Sequence, residues 1–383
     1  MQNHHYYRKF FSSFFIITTI LILSIIDINY LIDPYGIYST PSERLFALTD
    51  HYEESHLRLR KARDIVKQQP NMILAGSSRV RAGLTEEALI DTPVVNAFNL
   101  GLPGTTMEEL YYYLEHAFYF QPNIKTIILG LDLFQFNLNK KINIEFDHNR
   151  LNRSTMTLKD LIDTLFTGHA LKGSFIIVKE NVFYKTPKEI FEKTKESNFR
   201  FDKKEEFFLR FIMNSSEWYK NFEFDPKQID FYQKLVNSCV EKGIDLRVFI
   251  SPVSVDYCEA ITIRGSWPKF ERFKEIVSEI FPVWDFSGYN SITTLALETK
   301  SGTFYSDSSH YKPVIGRMII SQLYGKKIGP DDFGVLITPE NIVAHNEKIR
   351  KDQEVWRALN KPVTEYIESL PTANLKWTDD SLK

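Results

Sequence analysis

Cysteine is nearly missing from this chain. Cys239 and Cys258 are the only two among 383 residues, so no disulfide framework is written into it and at most one bridge can form. Cys239 falls in a helical pattern and Cys258 just beyond a strand; two unpaired, partly buried thiols are expected, with a single bridge as the alternative. No Cys/His cluster has metal-ligand spacing, and neither metal nor cofactor is expected. An excess of one charge is missing too. Lys and Arg total 47 against 49 Asp and Glu, a net charge of -2, which argues against a nucleic-acid binder. No internal repeat or low-complexity linker is found. The chain does have 43% hydrophobic residues, with 30 Phe and 19 Tyr. That composition predicts a packed body with a large aromatic core or broad apolar surfaces, long enough for one large domain or two ordinary ones.

One hydrophobic run is long. Phe10 to Ile26 carries no charge, and with Ile28, Tyr30, Leu31 and Ile32 it approaches the roughly 20 residues that cross a bilayer. Arg8 and Lys9 precede it, and Asp27 and Asp33 follow. The positive-inside tendency puts residues 1–9 in the cytoplasm and everything after Asp33 outside, as a single-pass protein of the inner (cytoplasmic) membrane with a periplasmic body. No small-x-small cleavage site follows the run. Residues 10–32 are therefore expected to be an uncleaved anchor rather than a signal peptide.

Beyond a turn at Asp33-Pro34-Tyr35-Gly36, Tyr52 to Gln69 reads as a basic helix. Its Arg58, Arg60, Lys61, Arg63 and Lys67 are expected on a solvated face, with a lipid-headgroup contact as the alternative. Short apolar strands then alternate with helices. Strands are expected at Asn71–Ala75, Pro93–Leu100, Thr126–Leu131, Asp245–Val253 and Phe281–Phe286, and helices at Thr85–Leu89, Met107–Phe120 and Pro313–Tyr324. This alternation predicts an α/β domain over residues 33–329 around a parallel sheet covered on both faces. Residues 137–225, rich in Lys, Glu, Phe and Asn, read as a mainly helical insertion or lid. It interrupts the carboxyl edge of the sheet, where ligands bind. Residues 330–383 read as a C-terminal extension: a loop, an amphipathic helix (339–359) and a tail.

The chemistry concentrates in two places. The first strand ends in Gly76-Ser77-Ser78, and Asp307-Ser308-Ser309-His310 precedes the last helix of the sheet. A serine hydroxyl needs a base to take its proton, and the base needs an acid to orient it. Both segments fall at one edge of the sheet, as do Gly104 and Asp132. Singly, Gly-Ser-Ser and Asp-x-x-His are also ordinary helix caps. Ser77 is a rival nucleophile, and Asp285 a rival partner for His310. His116 reads as core or surface, while His148 and His169 fall in the insertion.

Together these segments resemble the SGNH hydrolase superfamily, the GDSL-like esterases and acetyltransferases. Gly76-Ser77-Ser78 is similar to its first block, Asn99-Leu100-Gly101-Leu102-Pro103-Gly104-Thr105 to its second and Asp307-Ser308-Ser309-His310 to its last. The resemblance implies a three-layer α/β/α sandwich with a five-stranded parallel, flavodoxin-like sheet. It also implies Ser78 as nucleophile, His310 as base, Asp307 as its orienting acid, and the backbone N–H groups of Ser78 and Gly104 as oxyanion donors. With the anchor, the chain looks most like the extracytoplasmic branch that includes the DltD-like and alginate acetylation proteins, which act on envelope polymers beside a membrane-bound O-acyltransferase. The implied substrates are an acyl ester and a glycan, in O-acyl transfer or ester removal. A non-catalytic binding or scaffold partner is the alternative, and a phospholipase a third option. One departure stands out. The third block usually reads Gly-x-Asn, its Asn donating to the oxyanion; here it is Gly130-Leu131-Asp132. A carboxylate about 4 Å from an oxyanion would cost roughly 4 kcal/mol at an effective dielectric near 20. Either Asp132 is protonated, or it pairs with a cation such as Arg79 or Arg81, or Gln135 or Asn137 takes the donor role. Pairing is the expectation. Arg79, Gln135 and Asn137 are also candidate substrate-binding residues.

Overall fold

The computed structural model describes residues 2–40, 42–49, 52, 54–90, 92, 96–183, 219, 221–295 and 303–369. In chain order its elements are α1 (Gln2–Ile32), α2 (Leu57–Gln68), β1 (Met72–Gly76), α3 (Ser78–Gly83), β2 (Ala97–Gly101), α4 (Met107–Phe120), β3 (Thr126–Leu131), α5 (Leu158–Leu161), α6 (Gly168–Phe183), α7 (Pro226–Glu241), β4 (Asp245–Ile250), α8 (Val255–Ile263), α9 (Trp267–Ile280), β5 (Val283–Asp285), α10 (Pro313–Leu323), β6 (Val335–Ile337), α11 (Ile342–Leu359) and α12 (Lys361–Ser369). They fall into two compact units: residues 1–69, 115–122 and 144–201, and residues 70–114, 123–143 and 202–383.

In the first unit, the apolar run satisfies its backbone as one continuous helix. Tyr6–Ile32 of α1 is long and apolar enough to cross a membrane. The predicted turn follows. Asp33 ends the helix by accepting the N–H groups of Ile37, Tyr38 and Ser39 on its carboxylate. The chain then enters a small core of Tyr35, Ile37, Tyr52, Leu59, Ala170 and Ile177. The solvated face expected for the basic helix is not what forms. Arg58 and Arg60 of α2 are buried, Arg60 reaches the Tyr35 carbonyl, and Lys67 donates to the Ile37 carbonyl at 2.5 Å. Charge pattern alone marked these side chains as exposed. The folded loops offer Arg60 and Lys67 carbonyl acceptors, which is how a buried cation is tolerated.

The second unit is built on a mixed sheet of six strands in the order β2-β1-β3-β4-β5-β6. The first five are mutually parallel, and β6 pairs antiparallel with β5. The expected five-stranded parallel sheet therefore gains an edge strand. Val335–Ile337 lies in a segment read as loop because three residues give no periodicity to detect. The central strands read as continuous apolar runs because they are buried throughout, as parallel strands are. On one face Met72, Leu74, Ile128 and Phe249 pack with Ile315, Ile319 and Ile320 of α10. Beyond β5, Asp285 is fully buried between Lys274 of α9 and His345 of α11, each at 2.8 Å. Burial opposes its charge, but Lys274 and His345 outweigh that and hold its carboxyl well below the usual carboxylate range. The pairing ties the C-terminal helix α11 to the end of β5. Both cysteines are free and buried, and burial pushes the Cys258 thiol up to about 12.

Helix α3 is short and pressed against its neighbours. A Cβ on Gly83 would sit 1.8 Å from the Tyr311 ring, and one on Gly316 would sit 1.9 Å from the Gly83 carbonyl oxygen. Asn99 of β2 holds the far end of the helix, donating to the carbonyls of Val80 (3.2 Å) and Leu84 (2.9 Å). The Val80 carbonyl also accepts the Leu84 N–H at 2.9 Å, and the Leu84 carbonyl lies past the last turn, where no intrahelical donor follows. Gly83→Ala should therefore destabilise the protein by about 1–3 kcal/mol through overpacking, although alanine is the better helix former by about 1 kcal/mol. Gly329→Ala, whose nearest neighbour is 3.5 Å away, should stay within about 0.5 kcal/mol of the parent. Urea midpoints measure both; equal midpoints would contradict this packing.

Candidate active site

The two serines after β1 do different work. Ser77 is fully buried and caps α3, its Oγ accepting the Arg79 N–H at 3.1 Å. Capping is what a serine before a helix usually does. That leaves Ser78 at the first helical position, half-buried, with its side chain turned elsewhere. Its Oγ lies 2.8 Å from His310 Nε2. Ser77, the rival nucleophile, is not near that ring: its hydroxyl donates to Asp132.

His310 is held by the turn that contains it. Asp307 Oδ1 accepts the backbone N–H groups of Ser309 (2.6 Å) and His310 (2.8 Å), and Oδ2 lies 2.6 Å from His310 Nδ1. The carboxylate thus folds the turn and orients the imidazole together. Tyr305 and Tyr311, both fully buried, close the turn through a β-bridge. The Ser308 carbonyl accepts the Ser254 N–H at 3.0 Å, fixing the turn to the loop after β4. Asp307 does not cap α10; Lys312 is at that position, without a side-chain cap. With its proton on Nδ1, the ring donates to Asp307 and keeps the Nε2 lone pair for the Ser78 hydroxyl. The His310 side chain is 18% exposed, so solvent reaches the pair.

Asp132 pairs with Arg79, not Arg81. Its Oδ1 lies 2.5 Å from Arg79 Nη1 and its Oδ2 accepts from Ser77 Oγ at 2.5 Å. Arg79 also donates from Nε to Ser309 Oγ at 3.0 Å, and its guanidinium lies over the rings of Phe134 and Tyr257. Burial works against the guanidinium's charge, but Asp132 outweighs it and moves the Arg79 pKa up. Asp132 is spent as an acceptor on both oxygens, so it offers no proton to an oxyanion.

The remaining candidates divide. Leu102-Pro103-Gly104-Thr105 is a tight turn closed by the Thr105 N–H on the Leu102 carbonyl. Gly104 takes φ +60, the conformation a glycine after proline supplies in a type II turn. This turn leaves the Gly104 N–H unspent, and the Leu102 N–H donates to the Gly76 carbonyl at 2.9 Å, just before Ser77. Of the alternative donors, Gln135 Oε1 accepts the Asp132 N–H and Asn137 Oδ1 accepts the Asn139 N–H; these bonds use the amide oxygens, and the Gln135 Nε2 is buried with no hydrogen-bond partner. Asp285 belongs to Lys274 and His345 and is no partner of His310. Both ring nitrogens of His116 are taken by backbone, at Ala62 and Asn152. His169 is bonded to the Tyr35 hydroxyl, and His148 packs edge-on to Phe146. Two residues went unnoticed in sequence. Ser309 links the histidine turn to Arg79. Lys140 brings its Nζ within 3.4 Å of where a Cβ on Gly104 would sit. Ser309 occupies a variable place inside the Asp-x-x-His block, and no local motif marks Lys140. Among the described residues, no group of three or more His, Cys, Asp or Glu could hold a metal ion.

Compared with known proteins, the chain matches no family model, and no curated protein is similar to it.

Because Arg79 and Asp132 are both buried, removing one strands the other's charge, a loss of about 3–5 kcal/mol. Asp132→Leu should lower stability by that amount, whereas Arg79→Met with Asp132→Leu should recover most of it. Chemical denaturation of the three proteins is the measurement. A double variant as unstable as Asp132→Leu would mean that the pair is not a unit.

Proposed function

We propose that the protein is a membrane-anchored serine enzyme of SGNH type, working outside the cytoplasm by O-acyl transfer to, or removal from, a cell-envelope glycan. One observation carries the reading: His310 bridges Ser78 Oγ and Asp307, with Ser78 half-buried where a substrate can reach it. The strand order of the first five strands supports it as well; we read these as a flavodoxin-like sheet in an α/β/α sandwich. The apolar helix over residues 10–32, preceded by Arg8 and Lys9, supports a periplasmic orientation at the inner membrane through the positive-inside tendency.

In this mechanism His310 Nε2 takes the Ser78 proton as Oγ attacks the acyl carbonyl. The N–H groups of Ser78 and Gly104 hold the oxyanion. Collapse expels the alcohol, which receives the proton from His310, and leaves an acyl-serine. A glycan hydroxyl or water, deprotonated in turn by His310, then takes the acyl group and Ser78 regains its proton. Asp307 keeps Nδ1 protonated and stabilises the imidazolium in both halves. A membrane-bound O-acyltransferase is the partner that would supply the acyl group in the transfer direction.

Asp132 favours a second reading. With its carboxylate committed to Arg79 and Ser77, the third oxyanion donor of the SGNH pattern is missing, as suits a non-catalytic binding partner of a polysaccharide-modifying machine. The two readings part on Ser78. The enzyme should turn over p-nitrophenyl acetate and become labelled at Ser78 by a fluorophosphonate. Ser78→Ala should lose the labelling and at least about 10³-fold of the turnover. A folded parent protein that neither reacts nor turns over would leave the binding role.

A further inference from the structure

The segment 158–183 exposes large apolar side chains alongside its lysines. On the inner side of α6, Ala170, Gly173, Ser174 and Ile177 are buried. On its outer side Phe175 and Phe183 are 63% and 71% exposed, and before it Leu158 and Phe166 are 73% and 50% exposed. Large apolar side chains exposed on the outer side of a helix, between its lysines, mark a surface that meets lipid or another chain. Small residues toward the neighbouring helix with large ones outward is how helices pack in membranes.

The helix break is sealed without water. A π-helical turn, Ile162–Phe166, follows α5, and α6 leaves it bent by 51°. Its carbonyls are met by side chains. Asn29 of α1 donates to the Leu165 carbonyl at 2.8 Å, Thr167 to Asp163 at 3.0 Å and Thr164 to Asp160 at 2.6 Å. Asn29, itself fully buried, accepts from Ser174 at 2.9 Å. Irregular backbone at membrane depth requires this internal satisfaction.

Position along α1 sets the depth. Tyr6–Ile32 of α1, 27 residues, reaches about 40 Å, more than the roughly 30 Å of a hydrocarbon core. Asn29 in the last turn therefore falls at the interface. The 16 described residues of α6 extend about 24 Å, less than the thickness of a hydrocarbon core. Lys172 and Lys179 stand two turns apart along an apolar groove that also includes Leu171, Phe175 and Ile176. Lysines rimming an apolar stripe suit acyl chains beneath anionic headgroups.

We propose that residues 158–183 are a second membrane element. They lie in the bilayer interface against the last turn of α1, with Phe166 and Phe175 among acyl chains and Lys172 and Lys179 at lipid phosphates. The apolar surface of this hairpin continues that of α1, and the proposal rests on α1 spanning the bilayer.

The test is spin-label accessibility in the full chain, reconstituted in phosphatidylethanolamine–phosphatidylglycerol nanodiscs. Phe166→Cys, Phe175→Cys, Ile22→Cys and Asn149→Cys are labelled singly; the native thiols are buried. Phe166 and Phe175 should match Ile22, with an oxygen-to-nickel-chelate accessibility ratio several-fold above that at Asn149. Both sites tracking Asn149 while Ile22 reports lipid would overturn the proposal alone. An aqueous Ile22 would overturn the anchor and the proposal together. Shielding from both reagents, with spin–spin broadening that fades on dilution by unlabelled protein, would assign the surface to a second copy instead.

Discussion

The buried ion pair between Arg79 and Asp132 is the constraint on which the geometry at the sheet edge depends. Arg79 belongs to α3, Asp132 to the end of β3 and Ser309 to the histidine turn, and the guanidinium bonds to both of the others. Ser77 is drawn in because Asp132's second oxygen takes its hydroxyl. With Ser77 committed to Asp132 and to the helix cap, Ser78 is the serine left to face His310. Neither charge can be solvated where it lies, so neither can drift without stranding the other. The alignment of three separate segments thus follows from one electrostatic requirement.

The turn around Asp307 solves the second half of the problem by local means. One carboxylate satisfies two backbone N–H groups and one ring nitrogen within four residues. The rigid turn is then clamped by Tyr311 against Gly83, on the helix that begins at Ser78. Base and hydroxyl are therefore placed by a helix and a turn that share a packing contact, rather than by long flexible side chains.

Much of this was legible in sequence for a simple reason. Ser78, Gly104, Asp132 and the Asp307–His310 turn all follow strands or precede helices, and parallel strands bring such ends to one edge. The pairing of Asp132 with Arg79 was also reachable, since a carboxylate in that place needs a cation. What escaped were features with no local signature. β6 has three residues and pairs only because β5 offers a free edge. Arg60 is buried because the carbonyl of Tyr35, from a distant loop, meets its guanidinium. Residues 158–183 read as an ordinary insertion because three lysines, two aspartates and a glutamate break up the apolar run, and only the folded arrangement reveals which side the phenylalanines take.

On the proposed enzymatic reading, the same ion pair has a chemical consequence. A side-chain oxyanion donor is worth roughly 3 kcal/mol in the transition state, and this site has a carboxylate acceptor where that donor would be. On that reading the stabilisation falls to the backbone N–H groups of Ser78 and Gly104, with the unpartnered Gln135 Nε2 as the remaining side-chain donor beside Asp132, so the site suits acyl donors whose leaving groups demand less help, such as activated esters or an acyl group already mobilised by a partner. Restoring the donor by Asp132→Asn would strand the Arg79 charge, and with it the alignment that the pair maintains. The departure at position 132 therefore exchanges transition-state stabilisation for placement of Ser78, and the two cannot be improved independently while Arg79 remains.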